Sequence, residues 1–296
     1  MEQTKKTFED SLKSIETENF LDRVFYRPIG YRIALVLSRT SVTPNVITII
    51  SVFIGVFAGI LFYPQNIWIN ILGFILLVFA NILDCVDGQL ARLTGIKSDV
   101  GRILDGLAGD FWFISIYLSI ALRVSGQIGE SWVIWLAVSL AGMSNLIQAN
   151  ISDYYKTAHL YFISQKKGAE FDTIERIKAK HAAMPKGIKR FLYRLYLYYT
   201  IVQTLFTPQL QKMLKRITAK YGEDFPEEIR LLLRKTSLKV MPYLNIATFN
   251  GRSIALFAAV LLQNFWVYLL FEIIVLNLLL FVAINKYEGY CKKIEI

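Results

Sequence analysis

The chain has little of what cross-links a small fold or ligates a soft metal. Its 296 residues include two cysteines, Cys85 and Cys291, and two histidines, His159 and His181. That excludes a disulfide framework and leaves a histidine-based zinc site short of ligands. Both histidines read as solvated side chains of a polar segment. Charge is also sparse, at 19% of residues against 54% hydrophobic residues, and the mean hydropathy is +0.42. This balance excludes a disordered, collagen-like or low-complexity chain and an ordinary soluble domain. The first 30 residues carry charges throughout and no apolar run, so a signal peptide is not expected. No internal repeat is evident. The charge that is present leans one way, with 33 Lys and Arg against 23 Asp and Glu, a net +10. On so apolar a body, a basic face suits an anionic membrane surface, and no nucleic-acid partner is expected.

Six apolar stretches reach or approach the roughly 20 residues that cross a bilayer as helix. They run over 46–63, 67–84, 103–122, 132–151, 253–262 with a polar lead-in from Leu244, and 266–284. Asn250, Gly251 and Arg252 interrupt the fifth. The connections 64–67, 124–131 and 263–265 contain no Lys or Arg, and Arg123 sits at the edge of the second. The positive-inside rule then places both termini, the turn between spans 2 and 3, and the long connection after span 4 in the cytosol. A bacterial inner membrane is the expected location. Trp68, Trp132 and Trp266 fall at the opposite span edges and read as interfacial anchors.

The expected fold is an all-α integral membrane protein of six transmembrane helices. An N-terminal amphipathic helix precedes them, and a helical cytosolic insertion separates helices 4 and 5. The segments are 1–45, amphipathic; 46–155, spans 1–4; 156–243, the basic insertion; and 244–296, spans 5–6 with a tail. Between Lys156 and Lys239 there are 18 Lys or Arg against 7 Asp or Glu. Within it, Leu195–Phe206 is too short for a span and has basic residues on both sides. It reads as an interfacial helix. Residues 171–189 fit a soluble helical cap equally well.

The chemistry concentrates in 84–110, DCVDGQLARLTGIKSDVGRILDGLAGD, with acidic residues Asp84, Asp87, Asp99, Asp105 and Asp110. Acids beside a span are costly and usually functional. At 1.5 Å per residue, Asp84 lies about 24 Å from Trp68 and Asp105 about 27 Å from Arg123, so both belong at similar depth on adjacent helices. Asp84 and Asp87 share a face at i,i+3, and Gly101 and Asp105 share one at i,i+4. Gly88, Ala91 and Gly101 leave room for a ligand or for close helix approach. Converging oxygens without nitrogen or sulfur suit hard divalent cations, Mg²⁺ or Mn²⁺, and Cys85 should face away from Asp84. Arg92, one turn beyond Gly88, has the fork geometry for a phosphate. Metal and Arg together point to a phosphorylated substrate.

These residues resemble the signature of the CDP-alcohol phosphatidyltransferase family, D-x2-D-G-x2-A-R-x8-G-x3-D-x3-D. Asp84, Asp87, Gly88, Ala91, Arg92, Gly101 and Asp105 match it. Thr43-Pro44-Asn45 before span 1, the six spans and the N-terminal segment are similar to the family as well; the long basic insertion is not part of its usual core. The resemblance implies two divalent ions on Asp84, Asp87 and Asp105, and nucleotide contacts from Asn45, Gly88, Ala91, Arg92 and Gly101. It also implies attack of an alcohol on a CDP-linked substrate with loss of CMP, a carboxylate accepting the hydroxyl proton, and a homodimer, for which Gly55-x3-Gly59 is further support. The last signature aspartate would fall at position 109, which is Gly109, followed by Asp110. A π-bulge between Asp105 and Asp110 is expected to bring Asp110 onto the shared face as the fourth metal ligand and base.

Asn145, Gln148, Asn150, Asp153, Asn245, Asn250 and Arg252 are candidates for an acceptor pocket. Among them Asn150, Asp153 and Arg252 are the acceptor-binding set, and an intramembrane Arg252 needs an anion or an acid such as Asp153. The expected reaction takes a phosphatidyl group from CDP-diacylglycerol to a polar alcohol, with inositol phosphate or a similar polyol as the acceptor. The alternatives are a CDP-choline or CDP-ethanolamine enzyme acting on a lipid alcohol, an aspartate-rich membrane prenyltransferase, and a non-catalytic membrane scaffold.

Overall fold

A computed structural model of the chain describes residues 7–12, 14–129, 132–163, 174–222 and 226–294. The described residues form helices joined by short connections, without strands. A short 3-10 turn, Glu9–Ser11, and a π-helical turn, Asp22–Tyr26, lead into α1, Arg27–Leu37. The order continues with α2 Pro44–Ile60, α3 Ile67–Thr94, α4 Asp99–Ile128, α5 Trp132–Ile163, α6 Ile174–Ala183 and α7 Ile188–Phe206. It ends with α8 Pro208–Tyr221, α9 Glu227–Leu238, α10 Met241–Ile246, α11 Phe249–Leu261, α12 Phe265–Leu270, a π-helical stretch Phe271–Leu276, and α13 Asn277–Lys293. Of the expected cap 171–189, the part before Ile174 lies outside the described residues.

Each of the six apolar stretches falls on a helix. By length and composition four are able to cross a membrane: Ile67–Thr94, Val100–Gln127, Trp132–Ile163 and Phe265–Lys293. Pro44–Ile60 and Phe249–Leu261 are apolar but shorter. α7, with four Lys or Arg among or beside its first residues, is not among these spans. It leaves an apolar stripe exposed at helical spacing, through Ile188, Phe191, Tyr198 and Leu205, which is the pattern of a helix lying in an interface. Trp68 and Trp132 are exposed at the first turns of α3 and α5.

The chain divides into two compact units. One comprises Met1–Met143 and Ser253–Phe271, the other Ser144–Arg252 and Glu272–Ile296. In the first unit, α2 packs against both α3 and α4, and α1 lies along α3. Small residues allow this. A Cβ on Gly55 would stand 2.2 Å from the Trp112 ring, and one on Gly59 would stand 2.5 Å from the Ser115 hydroxyl. The Gly55-x3-Gly59 pair therefore packs α4 of the same chain, which removes it as support for a dimer. Arg123, beside the 124–131 connection, is buried. It donates to the carbonyls of Phe62 and Pro64, to Asn70 Oδ1 at 2.7 Å and to Gln263 Oε1 at 2.9 Å. One guanidinium thus satisfies main-chain carbonyls beyond α2 and ties them to the Gln263 side chain beyond α11.

In the second unit, Tyr154, Tyr155 and Phe162 of α5 pack with Met213, Leu233, Met241 and Tyr287. Glu288 of α13 accepts hydrogen bonds from the amides of Gln209 and Leu210, satisfying the first turn of α8. His159 departs from expectation. It is fully buried, with Nδ1 2.6 Å from the Ser237 hydroxyl, because its helix face turns inward against α9.

Candidate active site

Two helix ends build the site, both in the first unit. α3 starts at Asn66, whose side chain accepts from the amides of Trp68 and Ile69, and it stops at Gly95, where φ is +77°. The left-handed Gly95 turns the chain at once, and its amide closes on the Ala91 carbonyl at 3.0 Å. α4 then starts at Ser98, whose hydroxyl accepts from the Gly101 amide at 2.9 Å, an N-cap contact. This tight reversal returns Asp105 toward Asp84 and Asp87.

Asp84, Asp87 and Asp105 each bring one carboxylate oxygen to within 4.8 Å of the others. Asp87 is 3% exposed and the other two are half-buried. Cys85, one residue from Asp84, is not in this group, as the helix angle requires. An all-oxygen donor set of three carboxylates fits a hard divalent cation. Thr48 of α2 donates its hydroxyl to Asp87 Oδ2 at 2.5 Å. The same hydroxyl lies 3.2 Å from the Pro44 carbonyl, and with one hydrogen to give, the shorter contact to the charged acceptor prevails.

Asn45 sits beside the α4 cap. Its Nδ2 is 3.2 Å from the Ser98 hydroxyl, and a Cβ on Gly101 would stand 2.2 Å from its Oδ1. Gly101 thus makes the space that Asn45 fills. On the other side, the Arg92 guanidinium lies over Gly88, with Nη atoms 3.3 and 3.4 Å from where a Gly88 Cβ would stand. The structure therefore gathers Asn45, Asp84, Asp87, Gly88, Arg92, Gly101 and Asp105 around one helix reversal, with Ala91 on the last turn of α3.

The π-bulge is not there: α4 is regular from Asp99 through Ile128. Asp110 follows Asp105 by five residues, which on a regular helix turns it by about 140°. It does not belong to the three-carboxylate group. Gly109 instead shares the face of Asp105, about 40° away, and a Cβ there would meet no atom within 4 Å. Two glycines, Gly106 and Gly109, did not distort the helix because backbone hydrogen bonding continues through them without loss.

The acceptor-binding candidates belong to the second unit, and two of them, Arg252 and Asn150, have partners within it. Arg252 is paired with Glu272, with Nε to Oε1 at 3.0 Å and side chains 3% and 0% exposed. Its Nη2 donates to Gln148 Oε1 at 2.7 Å, and Gln148 Nε2 reaches the Glu272 carbonyl and Asn277 Oδ1. The buried ion-pair partner of Arg252 is Glu272, whereas Asp153 is exposed. Asn150 is buried and donates to the Tyr199 carbonyl at 3.0 Å. The sequence reading passed over Thr48, Gln89, Ser98 and Glu272. Ser98 carried a signal, being a cap residue three before Gly101; Glu272 carried another, as a lone acid in an apolar run.

Comparison with known proteins agrees with this geometry. Residues 41–206 match the profile of the CDP-alcohol phosphatidyltransferase family. The archaetidylinositol phosphate synthase of Pyrococcus horikoshii is 41% identical over 91 residues, 31% of this chain and 47% of that protein. The phosphatidylinositol phosphate synthase of Cutibacterium acnes is 33% identical over 112 residues, 38% of this chain and 52% of that protein. An uncharacterised protein of Aquifex aeolicus is 33% identical over 73 residues, 25% of this chain and 36% of that protein. The match spans about half the length of the two named relatives. With the signature residues gathered at one helix reversal and more than half of its length matched, the chain belongs to the CDP-alcohol phosphatidyltransferase family.

Proposed function

We propose that the protein transfers a phosphatidyl-type group from a CDP-linked lipid to a phosphorylated polyol such as inositol phosphate, releasing CMP. The observation that carries this is the convergence of Asp84, Asp87 and Asp105 beside Arg92 and Asn45. Both named relatives are, by name, inositol phosphate lipid synthases. In the reaction, the acceptor oxygen bonds to the phosphorus that carries the lipid. The bond from that phosphorus to the CMP oxygen breaks, and CMP keeps the electron pair. The hydroxyl proton passes to a carboxylate, for which Asp105 is our assignment because Asp110 is turned off the shared face. Asp84, Asp87 and Asp105 would hold Mg²⁺ or Mn²⁺, which supplies positive charge against the diphosphate oxygens. Arg92 and Asn45 orient the nucleotide portion. We place the protein in a membrane through six helices, with the shorter α2 and α11 completing the four long ones.

The test is transfer by the purified protein with Mg²⁺ or Mn²⁺, radiolabelled CDP-diacylglycerol and a panel of acceptors. Labelled lipid product with inositol phosphate supports the proposal. Transfer from CDP-ethanolamine alone refutes it. Gly109 favours one second reading, a site that binds the CDP-linked lipid without turning it over. Binding of the nucleotide with no CMP release in any acceptor mixture establishes that reading instead.

A further inference from the structure

Polar contacts from the start of the chain converge on the signature helix. Ser11 is fully buried, and its main-chain carbonyl accepts a hydrogen bond from Nε of Arg92. Its hydroxyl donates to the Phe8 carbonyl at 2.6 Å and accepts from Nε2 of Gln89 at 3.1 Å. The second N–H of Gln89 goes to the Arg27 carbonyl, also at 3.1 Å. Gln89 is fully buried and fills an unspecified position of the D-x2-D-G-x2-A-R run. α1 presses close to it: a Cβ on Gly30 would stand 2.5 Å from Gln89 Oε1. Further along, Arg27 and Glu18 form an ion pair at 3.0 Å, and the Phe8 ring meets Tyr31 edge-on. The segment is thus fastened to both α1 and α3, whereas its exposed apolar residues, Phe20, Val24 and Phe25, lie elsewhere along it.

We propose that Ser11 and Gln89 are positioning residues that aim Arg92 at the phosphate oxygens of a CDP-linked substrate. A planar guanidinium tied at Nε keeps its Nη edge in one orientation. The bond to the Ser11 carbonyl is charge-assisted and made at a buried residue, so the hold is firm. Gln89 fixes Ser11 in turn, with both of its N–H groups engaged. This inference rests on the functional reading above, in which Arg92 meets the nucleotide. It adds that the N-terminal segment is a wall of that site.

The experiment uses the full chain in detergent and reads CDP affinity, Mn²⁺ affinity by electron paramagnetic resonance, and the KM and kcat of transfer. Gln89→Leu removes both fastenings with little change of volume. The expected result is a rise of about tenfold in the CDP Kd and in the KM for the CDP-lipid. Mn²⁺ affinity and kcat should stay within about twofold. In an Arg92→Lys background the same substitution should change nothing further, because lysine has no Nε edge to hold. Additive losses in the double variant, or unchanged CDP affinity in Gln89→Leu, overturn the inference. Should Gln89→Leu not fold, Glu18→Ala loosens the segment away from α3. Weaker CDP binding with unchanged Mn²⁺ binding then supports the inference, and unchanged CDP binding overturns it. A wild-type chain that binds Mn²⁺ but not CDP overturns the functional reading as well.

Discussion

Arg252→Met should destabilise the protein strongly, and a second substitution should repair it. The guanidinium and the Glu272 carboxylate are 3.0 Å apart with side chains 3% and 0% exposed, and Gln148 accepts from the guanidinium while donating to the Glu272 main-chain carbonyl. Removing the arginine leaves a buried carboxylate without its counter-ion, which costs about 3–5 kcal/mol. Gln148 Oε1 also loses its donor, a further ~1–3 kcal/mol that overlaps with the first because the groups share one network. At roughly 2–4 °C per kcal/mol for domains of 150–250 residues, a loss of 3–5 kcal/mol lowers the melting temperature by about 6–20 °C. Replacing the whole pair, Arg252→Met with Glu272→Leu, removes the uncompensated charge and should recover most of that loss, since well-packed apolar substitutes for a buried pair are often near neutral. Thermal unfolding in detergent followed by tryptophan fluorescence measures both variants. If Arg252→Met melts like wild type and instead raises the KM for the acceptor, the arginine is an acceptor ligand and the structural reasoning fails. Recovery of stability in the double variant with acceptor KM unchanged assigns the pair to the fold alone.

Substitutions at three further positions test the site. Gly101→Ala puts a Cβ 2.2 Å from Asn45 Oδ1 and 2.8 Å from the Ser98 hydroxyl; overpacking of this kind costs about 1–3 kcal/mol, so CDP affinity should fall with Asn45 displaced, and unaltered affinity in titration calorimetry would show that Asn45 is not a nucleotide contact. Thr48→Val keeps the shape but removes the donor to Asp87; outer-shell losses of this type weaken metal binding by about 10–100-fold, and Thr48→Ser, which retains the hydroxyl, should stay near wild type in a Mn²⁺ titration. Equal affinities for the valine and serine variants would dismiss the hydroxyl's role. Gly109→Asp adds a carboxylate on the face of Asp105 where a Cβ meets no atom; the variant should fold, gain helix propensity of a few tenths of a kcal/mol over glycine, and bind Mn²⁺ more tightly or with higher stoichiometry, whereas an unchanged binding isotherm would mean that position 109 does not face the ion.

The legible parts of this protein were those written in local patterns. Apolar runs located the helices, and the i,i+3 and i,i+4 spacings placed Asp84, Asp87 and Asp105 on facing surfaces, because periodicity and covalent geometry alone decide which face a residue takes. The Gly55 and Gly59 pair was legible as a close-approach surface, but its partner was not. Nothing in the spacing distinguishes a helix of the same chain from one of a second copy. The illegible parts are long-range polar pairings. Ser11 meets Arg92 across 81 positions, Arg252 pairs with the buried Glu272, and His159 turns inward to Ser237 across 78 positions. Each depends on which elements pack together, and a polar residue with several possible partners leaves no periodic trace of its choice. The Asp105–Asp110 spacing failed for a related reason. The sequence offered two glycines where a bulge is inexpensive, but a bulge forms only if a gain elsewhere offsets the lost helical hydrogen bonds. Here Thr48 and the capped reversal at Ser98 already bring three carboxylates together. With that convergence complete, Asp110 supplies no gain that would bend the helix, and the regular geometry that leaves Gly109 facing the site is the one of lower free energy.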